Sequence, residues 1–163
     1  MTQYNVREDY KKLNIYVPMI KPLFPLMRYA THKLYDMQKI KSGINHKKLS
    51  ITGYKEYQIP IEIFSPMECD EKAPCLLFIH GGAFALPATD FHKKLICDYI
   101  LAINCRIVFV DYRLAPKYPF PYGIEDCYSA YKWIIDNADI SGFDLNKIAI
   151  YGDSAGGALA ASL

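Results

Sequence analysis

Residues 151–157 read "YGDSAGG", and this stretch decides how the rest of the chain is read. Inside it, Gly152-Asp153-Ser154-Ala155-Gly156 is a G-x-S-x-G pentapeptide. The apolar run "KIAIY" leads in, and the alanine-rich "AGGALAASL" leads out. That order predicts a strand, a sharp turn and a helix, with Ser154 lifted clear of the sheet as a nucleophile. Gly152 and Gly156 flank the serine where a tight turn leaves no room for side chains. Ala155 matters through its backbone N–H, which lies at the start of the helix and can point at a developing oxyanion. The bare pattern also arises by chance, so its weight comes from this setting.

Working outward, a second motif sits in its own required place. His80-Gly81-Gly82-Ala83-Phe84 comes directly off the apolar run "CLLFI". Small residues there let the backbone turn N–H groups inward toward a carbonyl oxygen. Such donors, held in place beforehand, supply several kcal/mol of transition-state stabilisation. The bland reading is a glycine turn with a histidine at a strand end, and two motifs in two correct settings outweigh it.

The frame around both motifs is alternating. "PCLLFIHGG", "CRIVFVDY" and "KIAIYGD" are short continuous apolar runs, as expected of parallel strands buried on both faces. "EYQIPIEIF" puts Tyr57, Ile59, Ile61 and Ile63 on one face of a further strand, and Pro60 suggests a sheet edge. "FHKKLICDYILAI" follows Thr89-Asp90, a plausible helix cap. "YGIEDCYSAYKWIID" aligns Ile124, Cys127, Tyr128, Tyr131, Ile134 and Ile135 along a helical stripe. The expected fold is α/β, a mostly parallel sheet with flanking helices joined by right-handed crossovers. Residues 1–47 differ in texture, being rich in Lys and Tyr and interrupted by Pro18, Pro22 and Pro25. They read as a helical, cap-like segment whose apolar residues (Ile15, Val17, Met19, Ile20, Leu23, Phe24, Leu26, Met27) either pack on the main domain or cap an active site. Residues 48–163 read as the domain itself.

With 163 residues, 52% of them hydrophobic and 22% charged, the chain can bury one core without disulfide or metal staples. The formal charge of +2 is small, and pairs such as Lys11-Lys12, Lys47-Lys48 and Lys93-Lys94 read as solvated faces rather than a nucleic-acid surface. The five cysteines form no C-x-x-C pair and cannot all pair, which favours a reducing cytoplasm. Cys105 and Cys127 lie in apolar surroundings as small core residues. The N-terminus shows no signal-peptide pattern, and no apolar run approaches the ~18 residues that a spanning helix needs.

Three blocks, "HGGAF", "DYRLAPKYPFP" and "GDSAGG", make the chain resemble the hormone-sensitive-lipase group of α/β-hydrolase esterases. They stand in that group's order and at similar spacing, and the resemblance runs from about Tyr57 to the end. It implies a hydrolase of small acyl esters that needs no cofactor and no metal. Ser154 is then the nucleophile, and the oxyanion hole comes from the backbone of Gly81, Gly82 or Ala83 together with Ala155. His80 orders the loop and is not the base. Asp111 and Arg113 are structural ion-pairing residues, and Asp153 is a positioning residue. Two positions depart from the group's pattern: Ala83 replaces a third glycine, and Lys117 replaces a glutamate.

A triad of this type runs Ser, then Asp or Glu, then His. Nine residues follow Ser154, and none is acidic or histidine. Of the four histidines, His80 belongs to the loop, His92 reads as a surface residue, and His32 and His46 as chance residues of the cap zone. The expectation is an N-terminal portion of a hydrolase, cut just inside the helix after the elbow and inactive alone. Its last strand would present an open edge. The missing acid and histidine would come from a continuation or from a complementing C-terminal fragment. Two other readings stay open: a non-catalytic small-molecule-binding protein of the same fold, and a nonfunctional fragment.

Overall fold

The computed structural model describes residues 23–163. Helix α1 (Phe24–Met37) is followed by strands β1 (Ile44–Thr52), β2 (Gln58–Pro66) and β3 (Ala73–Ile79). Then come α2 (Asp90–Ile103), β4 (Arg106–Val110), α3 (Tyr122–Asp136), the single turn α4 (Ala138–Ser141), β5 (Phe143–Gly152) and α5 (Ala155–Ala161). The sheet is mixed, in the order β1-β2-β4-β3-β5. The three continuous apolar runs form its parallel half, with β3 pairing β4 on one side and β5 on the other. Strands β1 and β2 add the antiparallel half.

Alternation along each strand sends side chains to two cores. Leu77, Ile79, Val108 and Val110 face α3, where Cys127, Ala130 and Ile134 meet them. Phe78, Ile107 and Phe109 face the other way, onto Ile96, Cys97 and Ile100 of α2 and Tyr35 of α1. Both faces are covered, which explains why β3 and β4 read as unbroken apolar runs. Among the described residues β5 pairs with β3 alone.

Several expectations are corrected. β2 is not an edge, since it pairs with β1 and β4. Pro60 is tolerated because its carbonyl accepts the Asp111 N–H at 3.0 Å. Its ring nitrogen faces that same side, one residue past the last β2–β4 pair, Ile61 with Val110, where no donor is needed. The outer strand next to β2 is β1, with only Ile44 and Ile51 buried. On α3 the buried stripe takes Ala130, while Tyr128 and Ile135 turn outward. Lys93 is not solvated: it is buried, its ammonium lies 4.0 Å over the Tyr35 ring, and burial pushes its pKa down. His46 is no bystander either, since its Nε2 meets Glu62 Oε2 at 2.5 Å across β1 and β2. In α1, Tyr35 is buried and stacks on Phe109, whereas Leu26, and Leu23 just before the helix, are exposed. Ile15, Val17, Met19 and Ile20, with Pro18 and Pro22, lie outside the described residues. No helix among the described residues is long and apolar enough to cross a membrane.

Candidate active site

The site forms where β3 and β5, parallel neighbours, end side by side at Ile79 and Gly152. Both chains turn there, and both turns are forced by close approach. A Cβ on Gly156 would strike the carbonyls of Ile79 and His80, the latter at 2.7 Å, and one on Gly152 would strike the backbone of Gly156 and Gly157. These glycines let α5 start directly against the end of β3. Between them, Ser154 is exposed and holds φ 50° and ψ −117°. A side-chain-bearing residue occupies that region at a penalty of roughly 1–3 kcal/mol, and such strain gathers at functional sites. Asp153 caps the new helix, its carbonyl accepting the N–H groups of Gly156 at 2.8 Å and Gly157 at 3.3 Å. The N–H of Ala155 at the helix start is left free among the described residues.

The loop after β3 is fixed atom by atom. His80 is wholly buried and stacks on Tyr112 with ring centroids 4.5 Å apart. Its Nδ1 lies 2.6 Å from the Gly81 carbonyl, which can only accept, so Nδ1 carries the proton. Burial pushes the His80 pKa down to about 4, so the ring is neutral near pH 7. Tyr112 Oη donates to the His80 carbonyl at 2.8 Å. Gly82 has φ 122°, and a Cβ there would collide with the Leu86 carbonyl. Ala83 and Phe84 follow with φ 53° and 59°, left-handed conformations that suit glycine. The departure at Ala83 therefore puts an alanine where the backbone asks for a glycine. Ala115 N–H donates to the Phe84 carbonyl at 2.9 Å, tying the loop to the segment after β4.

Two assignments change. Gly81 does not offer its N–H to a substrate, because Asp153 Oδ1 takes it at 2.9 Å. The N–H groups of Gly82, Ala83 and Ala155 are the ones without an acceptor among the described residues. Of the two residues expected to form ion pairs, Arg113 does so and Asp111 does not among the described residues. Arg113 turns to α3, where its Nε and Nη2 donate to the two oxygens of Asp126 at 2.8 and 2.6 Å and its backbone N–H adds a third bond at 2.9 Å. Its guanidinium lies 4.4 Å over Tyr57 and 4.6 Å over Tyr122. Asp111 has no ion pair among the described residues and lines a cavity of about 400 Å³ shared with Tyr35, Lys48 and Glu62. Lys117 is exposed, its ammonium 5.0 Å over the Tyr118 ring.

His92 is the residue that reading the sequence missed. It is 7% exposed, and its Nε2 lies 3.4 Å from Asp153. The one signal in the sequence was its place three residues after Thr89, the reach of a capping box in which histidine stands for Glu or Gln. Asp126, wholly buried on α3, gave no signal at all.

Residues 76–163 match the family described as the alpha/beta hydrolase fold. An arylesterase of Saccharolobus solfataricus is 33% identical over 158 residues, 97% of this chain and 51% of that protein. A carboxylesterase of Mycobacterium tuberculosis is 37% identical over 103 residues, 63% of this chain and 32% of that protein. Among solved structures, a bacterial heroin esterase superposes with a TM-score of 0.80 at 28% identity, covering 96% of this chain and 51% of the other. The chain thus spans about half the length of the arylesterase and of the heroin esterase. Fold, motif order and relatives agree: the chain belongs to the α/β-hydrolase family, in its hormone-sensitive-lipase-like esterase group.

Proposed function

We propose that the chain is the nucleophile-bearing part of a serine carboxylic-ester hydrolase acting on small acyl esters. The observation that carries the reading is the strained backbone of Ser154, φ 50° and ψ −117°, at a strand-to-helix turn beside free N–H groups. Ser154 Oγ attacks the ester carbonyl carbon while a histidine takes its proton. The carbonyl oxygen becomes an oxyanion facing the N–H groups of Gly82, Ala83 and Ala155. Collapse expels the alcohol, which recovers the proton from the histidine, and leaves an acyl group on Ser154. Water, activated by the same histidine, then releases the acid and frees the serine.

None of the nine residues after Ser154 is acidic or histidine, so the reading is tested on a protein completed to the length of the relatives it matches. On their own the 163 residues are expected to be inactive. An apolar cavity of about 360 Å³ beside Ala83, lined also by Phe84, Ala115, Phe120, Ile124 and Leu159, supports a small acyl or alcohol group. The test is turnover of p-nitrophenyl acetate by the completed protein and by its Ser154→Ala variant. Loss of turnover in the variant supports the reading, and undiminished turnover ends it. Tight ligand binding without turnover in the unaltered completed protein would favour a receptor-like role instead.

A further inference from the structure

We infer that His92 is a positioning residue for the oxyanion hole, acting through Asp153 on the Gly81–Gly82 peptide. The inference rests on the ester-hydrolase reading of Ser154.

The chain of contacts begins at the start of α2. His92 Nδ1 accepts the Thr89 N–H at 2.9 Å. An imidazole that accepts at Nδ1 carries its proton on Nε2. That Nε2–H is directed at Asp153, 3.4 Å from each carboxylate oxygen. The ring cannot swing away easily, being buried and set edge-on against Phe78, Phe91 and His80. Asp153 in turn takes the Gly81 N–H on Oδ1, as described above.

Gly81 is therefore gripped at both of its backbone polar groups. Asp153 holds its N–H, and His80 Nδ1–H holds its carbonyl. The Gly81 carbonyl and the Gly82 N–H belong to one planar trans peptide and point in opposite directions. Fixing the first fixes the second. The direction of the Gly82 donor is thus set by two clamps, and His92 steadies one of them. No Cβ on Gly81 intervenes, so the Asp153 carboxylate lies directly on the loop backbone. A displaced carboxylate moves the loop, and a misaimed donor weakens stabilisation of the oxyanion more than binding of the ester.

A competing account makes His92 a helix cap and nothing more. Two substitutions separate the accounts. Glutamate is the usual capping-box residue at this position, so His92→Glu keeps an acceptor for Thr89. It offers Asp153 no donor and sets a like charge beside it. His92→Gln keeps both an acceptor for Thr89 and a donor for Asp153. In the completed protein, His92→Glu is expected to lower kcat by about tenfold or more with KM changed less than about twofold. His92→Gln is expected to recover most of that loss. Amide exchange over residues 80–84 should speed up in His92→Glu and not in His92→Gln. The double variant His92→Ala/Asp153→Ala should lose no more activity than Asp153→Ala alone, a non-additivity that a mere cap would not produce. Because this comparison avoids the glutamate, it decides the matter even where His92→Glu folds poorly. Unchanged kcat in His92→Glu, equal losses in Glu and Gln, or additive losses in the double variant would overturn the inference. Ser154→Ala is run alongside: if it keeps full turnover, the hydrolase reading fails, whereas its inactivity together with a silent His92 fails this inference alone.

Discussion

Asp153 Oδ1 accepts the main-chain N–H of Gly81 across 2.9 Å, joining two motifs that lie 72 residues apart in sequence. The strand-to-helix turn and the glycine loop are thereby one unit, and the residue beside Ser154 sets the loop opposite it. The approach is so close that a Cβ on Gly81 would meet the Asp153 backbone oxygen at 2.8 Å as well as its side chain. Gly81→Ala is expected to lower kcat of the completed protein by roughly 100-fold, the order of losing one oxyanion donor, with a smaller effect on KM. Steady-state kinetics on p-nitrophenyl acetate read both.

Strain at Ser154 gives a stability counterpart to its chemistry. Glycine accepts φ 50° and ψ −117° without penalty, so Ser154→Gly should raise stability by about 1 kcal/mol while abolishing turnover. Urea unfolding and the ester assay on the same preparation test the trade.

Ala83 carries the same kind of strain without a reacting group. At φ 53° an alanine is disfavoured by about 1–2 kcal/mol, so Ala83→Gly should raise the melting temperature and keep its N–H donor in place. Calorimetry checks the sign of the shift.

Arg113 and Asp126 form a pair with 5% and 0% of their side chains exposed. Asp126→Ala strands a buried guanidinium and should destabilise by about 3–5 kcal/mol. Arg113→Lys keeps the charge but loses the two-pronged grip, and should fall between the two proteins in a urea titration.

Asp111 makes stability depend on pH. Burial pushes its carboxyl up to about 6, above the 3.8 of a free side chain. The folded state then holds the proton more tightly than the unfolded one, so this group's contribution to stability rises as pH falls from 7 toward 4. Asp111→Asn should be more stable than the parent at about pH 8, with the advantage shrinking as pH drops through 6. Thermal melts across that window decide it.

The parts legible in the sequence were those written in local pattern. β3 and β4 stood out because burial on both faces demands unbroken apolar runs, the end of β5 carries a similar run although it is only half-buried, and Thr89 marked the start of α2. β1 was missed because an edge strand buries little, and "INHKKLSIT" hides Ile44 and Ile51 among polar residues. Of the candidate site, the turn at Ser154 and the loop from His80 were legible as motifs. The site was not legible where a partner comes from far away. His92 meets Asp153 across 61 residues, and Arg113 finds Asp126 on the next helix rather than its near neighbour Asp111. Only tertiary packing creates those pairs.

Acylation of Ser154 can be seen by trapping the intermediate. The completed protein is mixed with p-nitrophenyl acetate, quenched in acid within the burst and digested for mass spectrometry. A single acetyl group is expected on the peptide containing Ser154, absent from Ser154→Ala. Turnover with Ser154 unlabelled, or an acetyl group on another residue that persists in Ser154→Ala, would contradict it.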